Sequence, residues 1–132
     1  MLKTGILNPN INSLLSRVRH TNTLIIADRN FPFWPQIETV DISLTDDVPR
    51  VLDVLRAIRT NFNVGSAFMA EEFRETNNPE ICLQFEWALK GATLTFEPHI
   101  EFKKRAPFAI GLIRTGDTTQ FANCLLYTSR CV

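Results

Sequence analysis

Thr23-Leu24-Ile25-Ile26-Ala27-Asp28 is an uninterrupted apolar run that ends abruptly on a carboxylate. A strand with one wet face would alternate apolar and polar residues. A continuous run of this length reads instead as a strand covered on both faces, as in a parallel sheet. Upstream, Ile11, Leu14, Leu15 and Val18 recur at helical spacing behind the start signals Asn8-Pro9-Asn10, which predicts a helix over residues 11–19. Downstream, Pro32 and Pro35 among Phe31, Phe33 and Trp34 make residues 30–35 a stiff aromatic loop.

The same alternation continues to the end of the chain. Residues 39–43 read as a short strand. Asp47 offers a cap for a helix over 48–60 with Val51, Leu52, Leu55 and Ile58 on one face. A strand over 64–70 leads into Glu71 and Glu72. Asn78-Pro79 starts a helix that carries Leu83, Trp87 and Lys90 and stops at Gly91. Strands follow over 92–96, 108–114 and 124–128, with a short helix or turn over 99–105 and a turn over 116–120. The short polar link between the last two strands predicts an antiparallel pair. Strands alternating with helices predict one α/β domain over residues 1–132, a layered structure with a mainly parallel sheet flanked by helices.

Composition narrows the function classes. Fourteen Lys and Arg balance fourteen Asp and Glu, so the basic excess expected of a nucleic-acid binder is missing and self-association meets little charge repulsion. No apolar run approaches the ~18 residues of a membrane helix, and the first ten residues do not read as a secretory signal. Cys82, Cys124 and Cys131 are odd in number and lack zinc or C-x-x-C spacing. Reduced thiols in a cytoplasmic protein are the simplest reading.

Familiar nucleotide and hydrolase motifs fail. Gly111 to Gly116 imitates the glycine spacing of a phosphate loop, but Asp117 stands where lysine is needed. Neither G-x-G-x-x-G nor G-x-S-x-G occurs, and His20 and His99 cannot form a helical i, i+4 zinc pair. What remains is a set of polar residues at strand and helix ends. Asp28 follows the buried strand directly, where open α/β sheets line their ligand crevice, though a turn carboxylate explains it equally well. His20 and His99 could exchange protons near neutrality, since an imidazole titrates near pH ~6.5, but each also suits a helix end. Asn123 precedes the last strand. If that strand runs antiparallel, Asn123 comes to the sheet edge that holds Asp28. The aromatic loop could cover a sugar ring or bury itself against a second subunit.

The residues in order carry a family pattern. Gly5-Ile6-Leu7-Asn8 is followed by Arg19-His20-Thr21-Asn22, Ile25-Ile26-Ala27-Asp28 and Phe31-Pro32. Later come Ala70-Glu71-Glu72, His99-Ile100-Glu101-Phe102-Lys103, Ile113-Arg114-Thr115-Gly116-Asp117 and Phe121-Ala122-Asn123. The chain resembles the D-ribose pyranase and L-fucose mutarotase family over nearly its whole length. The resemblance implies a single α/β domain in ring-shaped oligomers, pentamers or decamers, that bind a monosaccharide near subunit contacts and interconvert its cyclic forms. It implies His20 as proton donor, and Asp28, His99, Lys103, Phe121 and Asn123 as sugar-binding positions. Arg19 stands where the family usually has Gly, Asn22 where it has an acid, and Phe121 where it has Tyr.

The chemistry so implied opens a hemiacetal. A proton reaches the ring oxygen as another leaves the anomeric hydroxyl, and one group titrating near neutrality can serve both transfers. His20 would take that part, with Asp28 orienting its tautomer or binding a hydroxyl, and no metal, nucleotide or redox cofactor is required. The alternative, favoured by Arg19, Asn22 and Phe121, is a non-catalytic sugar-binding ring subunit tied to sugar uptake or regulation.

Overall fold

In the computed structural model, which describes residues 5–128, the apolar run at 23–27 is a strand inside the sheet. The chain runs α1 (Pro9–Arg17), β1 (Thr23–Ala27), β2 (Glu38–Asp41), α2 (Val51–Asn61), β3 (Ser66–Ala70), α3 (Glu71–Thr76), α4 (Pro79–Ala88), β4 (Thr93–Glu97), α5 (His99–Arg105), a 3-10 turn (Ala106–Phe108), β5 (Gly111–Arg114) and β6 (Cys124–Tyr127). The six strands are ordered β2-β5-β1-β6-β3-β4. The pairs β2–β5, β5–β1 and β3–β4 are parallel, and β6 runs antiparallel to both β1 and β3.

Both faces of β1 are covered, in the period of two that a strand imposes. Leu24 and Ile26 join the larger core, where Ile11 and Leu14 of α1, Leu55 and Ile58 of α2 and Phe85 of α4 pack. Ile25 and Ala27 face the smaller core, with Phe31, Phe102 of α5, Leu112 and Leu125. Helix α1 starts where Asn8 Oδ1 accepts the backbone N–H groups of Asn10 and Ile11 at 2.9 and 3.0 Å, with Pro9 at a position whose missing donor costs nothing. It lies so close to β5 that a Cβ added at Gly111 would come within 2.6 Å of Leu14 Cδ1. No helix among the described residues is long and apolar enough to cross a membrane.

Local signals misplace several details. Asp47 does not cap α2. It sits at φ +63° in a turn closed by a bridge between Thr45 and Val48, and its carboxylate accepts from the Thr118 N–H and hydroxyl at 2.9 and 2.8 Å. The helix begins at Val51, after Pro49, and Val51 N–H donates to Asp117 Oδ2 at 2.9 Å from far along the chain. The last two strands do not pair with each other. After β5, the Thr115 N–H and hydroxyl both donate to Ala27 O, at 2.9 and 2.8 Å. The chain is thereby carried past the end of β1 and returns as β6 between β1 and β3. Residues 71–76 form a helix that their short apolar content did not signal, and Ala106-Pro107-Phe108 delays β5 to Gly111. Leu83 and Trp87 point outward from α4, which buries Phe85 instead. Cys131 and the chain's final residues lie outside the described residues.

Candidate active site

Five strands point the same way, so their carboxyl ends share one edge of the sheet, and the antiparallel β6 begins at that edge. The topology therefore gathers Asp28 after β1, Glu72 and His99 after β3 and β4, and Asn123 before β6, the arrangement that makes the carboxyl edge of an open α/β sheet a ligand crevice. Asp28 N–H donates to Asn123 Oδ1 at 2.8 Å, and Asp28 Oδ1 accepts the Asn30 N–H at 2.9 Å. Asp28 and Asn123 are almost fully buried. Burial pushes the Asp28 carboxyl above its ordinary range, backbone hydrogen bonds from Asn30 and Phe31 oppose the shift, and the nearby charge of Asp117 adds to it. The loop beyond Asp28 is tied down as well: Arg29 N–H donates to Asp117 O at 3.0 Å, and Arg114 Nη1 donates to Phe31 O at 2.6 Å.

His99 opens α5. Its backbone N–H donates to the Glu72 carboxylate, 3.0 and 3.2 Å from the two oxygens. Its ring stacks on Phe102 at 6.2 Å and meets the edges or faces of Phe121 at 5.0 Å and Phe31 at 6.3 Å. His99 Nδ1 is buried with no hydrogen-bond partner among the described residues. Burial lowers the basicity of the imidazole, the Lys103 ammonium lowers it further, and Glu72 partly restores it. The imidazole at this edge is thus biased toward its neutral form, which presents one donor and one acceptor. Phe121 holds its place at φ +58°, a left-handed conformation uncommon for a bulky side chain.

Asp28, His99, Phe121, Asn123 and Phe31 line a cleft of about 260 Å³, which Asn30, Pro32 and Gln120 complete. A carboxylate, an imidazole and carboxamides converge there with aromatic and prolyl carbon. That mixture can bind the hydroxyls of a small polyol while packing against its C–H surfaces. Larger hollows lie elsewhere. One of about 430 Å³ is lined by Arg59 and Gly91, but the Arg59 guanidinium is already committed to the carbonyls of Val64 and Lys90. Among the described residues no group of three or more His, Cys, Asp or Glu could hold a metal ion.

Two expected residues are not in the cleft. Lys103 lies one helical turn beyond His99 and acts on it through charge, without lining the cleft. His20 lies at the other end of β1, exposed in a turn where Arg19 N–H donates to Asn22 Oδ1 at 2.8 Å and Asn22 N–H to Arg19 O at 3.0 Å. It lines a separate hollow of about 410 Å³ with Arg19, Asn61, Phe62 and Asn63. Five residues of strand span roughly 16 Å at ~3.3 Å per residue, so Asp28 cannot orient the tautomer of His20 in its own chain. The sequence marks Glu72 only within the Ala70-Glu71-Glu72 pattern and Gln120 only within a turn, and assigns neither to the site. Glu72 carries the signal that marked Asp28, an acidic residue just beyond the carboxyl end of a buried strand.

The family model described as the RbsD / FucU transport protein family matches residues 1–129. A D-ribose pyranase of Chromobacterium violaceum is 39% identical over 129 residues, covering 97% of each chain. One from Bacillus cytotoxicus is 35% identical over 127 residues, covering 96% of each. Bacillus subtilis RbsD complexed with D-ribose superposes with a TM-score of 0.90 at 29% identity, covering all of both chains. The fucose mutarotase of Streptococcus pneumoniae, in complex with L-fucose, shares the fold with a TM-score of 0.83 at 19% identity, covering 99% of this chain and all of that one.

Proposed function

The chain belongs to the RbsD / FucU transport protein family, and on that premise we propose that it interconverts the cyclic forms of a monosaccharide, with D-ribose the first substrate to test. The observation that carries this reading is the cleft at the carboxyl edge, where Asp28, His99 and Asn123 meet although 71 and 95 residues separate the last two from the first (99 − 28 and 123 − 28). One sugar-mutarotase-like domain over residues 1–132 performs the reaction in the cytoplasm.

Ring opening needs a proton delivered to the ring oxygen while the anomeric hydroxyl loses one. In this reading Asp28 accepts hydrogen bonds from sugar hydroxyls. Asn123 holds the Asp28 backbone and takes part in the polar floor. Neutral His99 binds a further hydroxyl, and Phe31 and Phe121 pack on the ring carbons. The proton donor in this reading is His20, and its place at the opposite end of β1 from Asp28 supports donation from a neighbouring copy. The site is then completed at the contact between subunits of a pentameric or decameric ring. Phe33, Ile100 and Phe108, 68%, 64% and 85% exposed, supply apolar surface for such contacts. The chemistry itself calls for no metal or redox cofactor, because nothing is oxidised and no bond to carbon other than C–O is made or broken.

Saturation-transfer NMR of the anomeric protons of D-ribose and L-fucose, with catalytic amounts of protein, tests the proposal. Exchange faster than in buffer alone is the expected result. Line-broadening of the sugar without exchange would instead leave a non-catalytic sugar-binding ring subunit, a reading for which Phe121, without a phenolic hydroxyl, is the relevant observation. Neither exchange nor broadening for any sugar would remove the cleft from consideration as a sugar site.

A further inference from the structure

The site residues account for the walls of the cleft but not for what holds His99 against them. Helix α5 begins at His99 behind Pro98, and no side chain of its own segment caps it. The His99 N–H is instead taken by Glu72, the second residue of α3, 27 positions earlier in the chain, with both carboxylate oxygens within 3.2 Å. A surface cap is ordinarily a neighbour in sequence. This one bridges the ends of two adjacent parallel strands, β3 and β4, at the edge where the cleft lies.

We propose that Glu72 is a positioning residue of the cleft: its carboxylate anchors the backbone of His99 and so fixes the imidazole against Phe31, Phe102 and Phe121. The proposal rests on the sugar-binding reading of the cleft and extends it to a residue that lines no part of it. The ring needs such an anchor because its Nδ1 makes no hydrogen bond among the described residues, where the stack on Phe102 and the edge contacts with Phe31 and Phe121 orient it. An aromatic stack resists tilting but leaves sliding and rotation in the ring plane almost free. A charge-assisted hydrogen bond to the backbone N–H fixes the point from which the ring is carried and so limits its sliding over Phe102.

Glu72 also contributes charge. Two charged groups act on the His99 imidazole, Lys103 from α5 and Glu72 from α3, and Asp28 lines the same cleft. Among these, Lys103 disfavours the imidazolium and Glu72 favours it. Anchoring and charge can be separated by substitution, because Gln keeps an acceptor oxygen and loses the charge whereas Ala loses both.

The chain has two histidines, so the ring signals of the whole protein can be followed by ¹H–¹³C NMR and assigned with His20→Ala. Glu72→Ala is expected to raise KM for the exchanging sugar about tenfold, the effect of one lost charge-assisted hydrogen bond, with kcat changed far less because proton transfer by His20 is untouched. The His99 ring contacts should loosen, seen as altered shifts of His99 and Phe121. Glu72→Gln should restore KM toward the wild-type value while the His99 titration midpoint falls. If Glu72→Ala lowers the melting temperature but leaves KM, the His99 shifts and its titration at wild-type values, Glu72 is a helix cap only and the proposal is overturned. A fall in kcat at unchanged KM also overturns it. Should no sugar exchange or bind even in the wild type, the sugar reading fails separately, and the His99 shifts and titration still decide whether Glu72 positions the ring.

Discussion

Two inactive variants combined in one ring recover activity if His20 works in the cleft of a neighbouring copy. His20→Ala removes the proton donor and leaves the cleft with Asp28 intact. Asp28→Asn disables the cleft and leaves His20 available to the next copy. Each alone should lose about 10²- to 10⁴-fold in exchange rate if it removes general acid–base catalysis or its binding partner. In rings assembled at random from equal amounts of the two, about half the clefts have Asp28. About half of those lie beside a copy with His20, so close to a quarter of wild-type activity returns in a closed heterologous ring. The separation of His20 from Asp28 along β1 is what makes the number a quarter: a site built within one chain returns none. The two variants would be co-expressed with different affinity tags, mixed rings isolated by tandem purification, and anomeric exchange of D-ribose measured by saturation transfer. Mixed rings no more active than either parent would refute neighbour donation. Undiminished exchange in pure His20→Ala rings would show that another group donates the proton.

Three further outcomes follow from single contacts. Asn123→Ala removes the acceptor for the buried Asp28 N–H, 2.8 Å away. It should cost about 1–3 kcal/mol of stability in urea unfolding and weaken sugar binding with it; an unchanged midpoint would mean that water replaces the carboxamide. The raised pKa of Asp28 means that its ionised form is disfavoured in the folded state. Its penalty is full above the folded pKa and disappears as pH falls below the unfolded value, about 3.9. Asp28→Asn should therefore be more stable than wild type at neutral pH, with the difference shrinking on acidification through the carboxylate range, as read from urea midpoints against pH; a difference that grows instead would reverse the assignment. Gly111→Ala puts a methyl within 2.6 Å of Leu14 Cδ1 and should cost about 1–3 kcal/mol by overpacking, measured by thermal unfolding, unless α1 moves away from β5.

Periodicity and local punctuation carried the element order because those signals reside in neighbouring residues. Asn8-Pro9 and Asn78-Pro79 mark helix starts that the backbone uses, with Asn78 Oδ1 accepting the Ile81 N–H at 2.9 Å. The buried run at 23–27 is β1, covered on both faces. Failures arose where distant residues outbid local ones. Asp47 has the chemistry of a cap, yet Asp117 takes the first turn of α2 because the loop after β5 reaches it, and Thr118 claims Asp47. No local rule says that a strand after a short polar link should cross its predecessor's neighbour, which is why β6 was expected beside β5. Its antiparallel sense followed from the turn, but its place came from the pair of Thr115 bonds to Ala27 O.

For the site, the rule that strand ends gather ligands was enough to flag Asp28 and, through the sense of β6, Asn123. The hydrogen bond between them bears out that juxtaposition, which depended on orientation alone and not on which strand β6 pairs with. The same rule applied to β3 would have reached Glu72, but an acidic residue at the start of a helix has a ready local explanation in the helix dipole, and its partner lies 27 residues away. His20 shows the opposite limit. Family resemblance places it in the chemistry, whereas its position in the chain puts it at the wrong end of β1. If His20 takes the part that the resemblance implies, the functional unit is larger than the chain. A sequence encodes such a site in two halves, one at each end of a strand, and each half seen alone looks like an ordinary turn. The carboxyl half holds a polar floor of Asp28, Asn123 and a histidine of lowered basicity, and the amino half holds an exposed histidine. On that proposal assembly is part of catalysis, and conditions that dissociate such a ring without unfolding the subunit should abolish exchange while leaving the Asp28–Asn123 cleft intact.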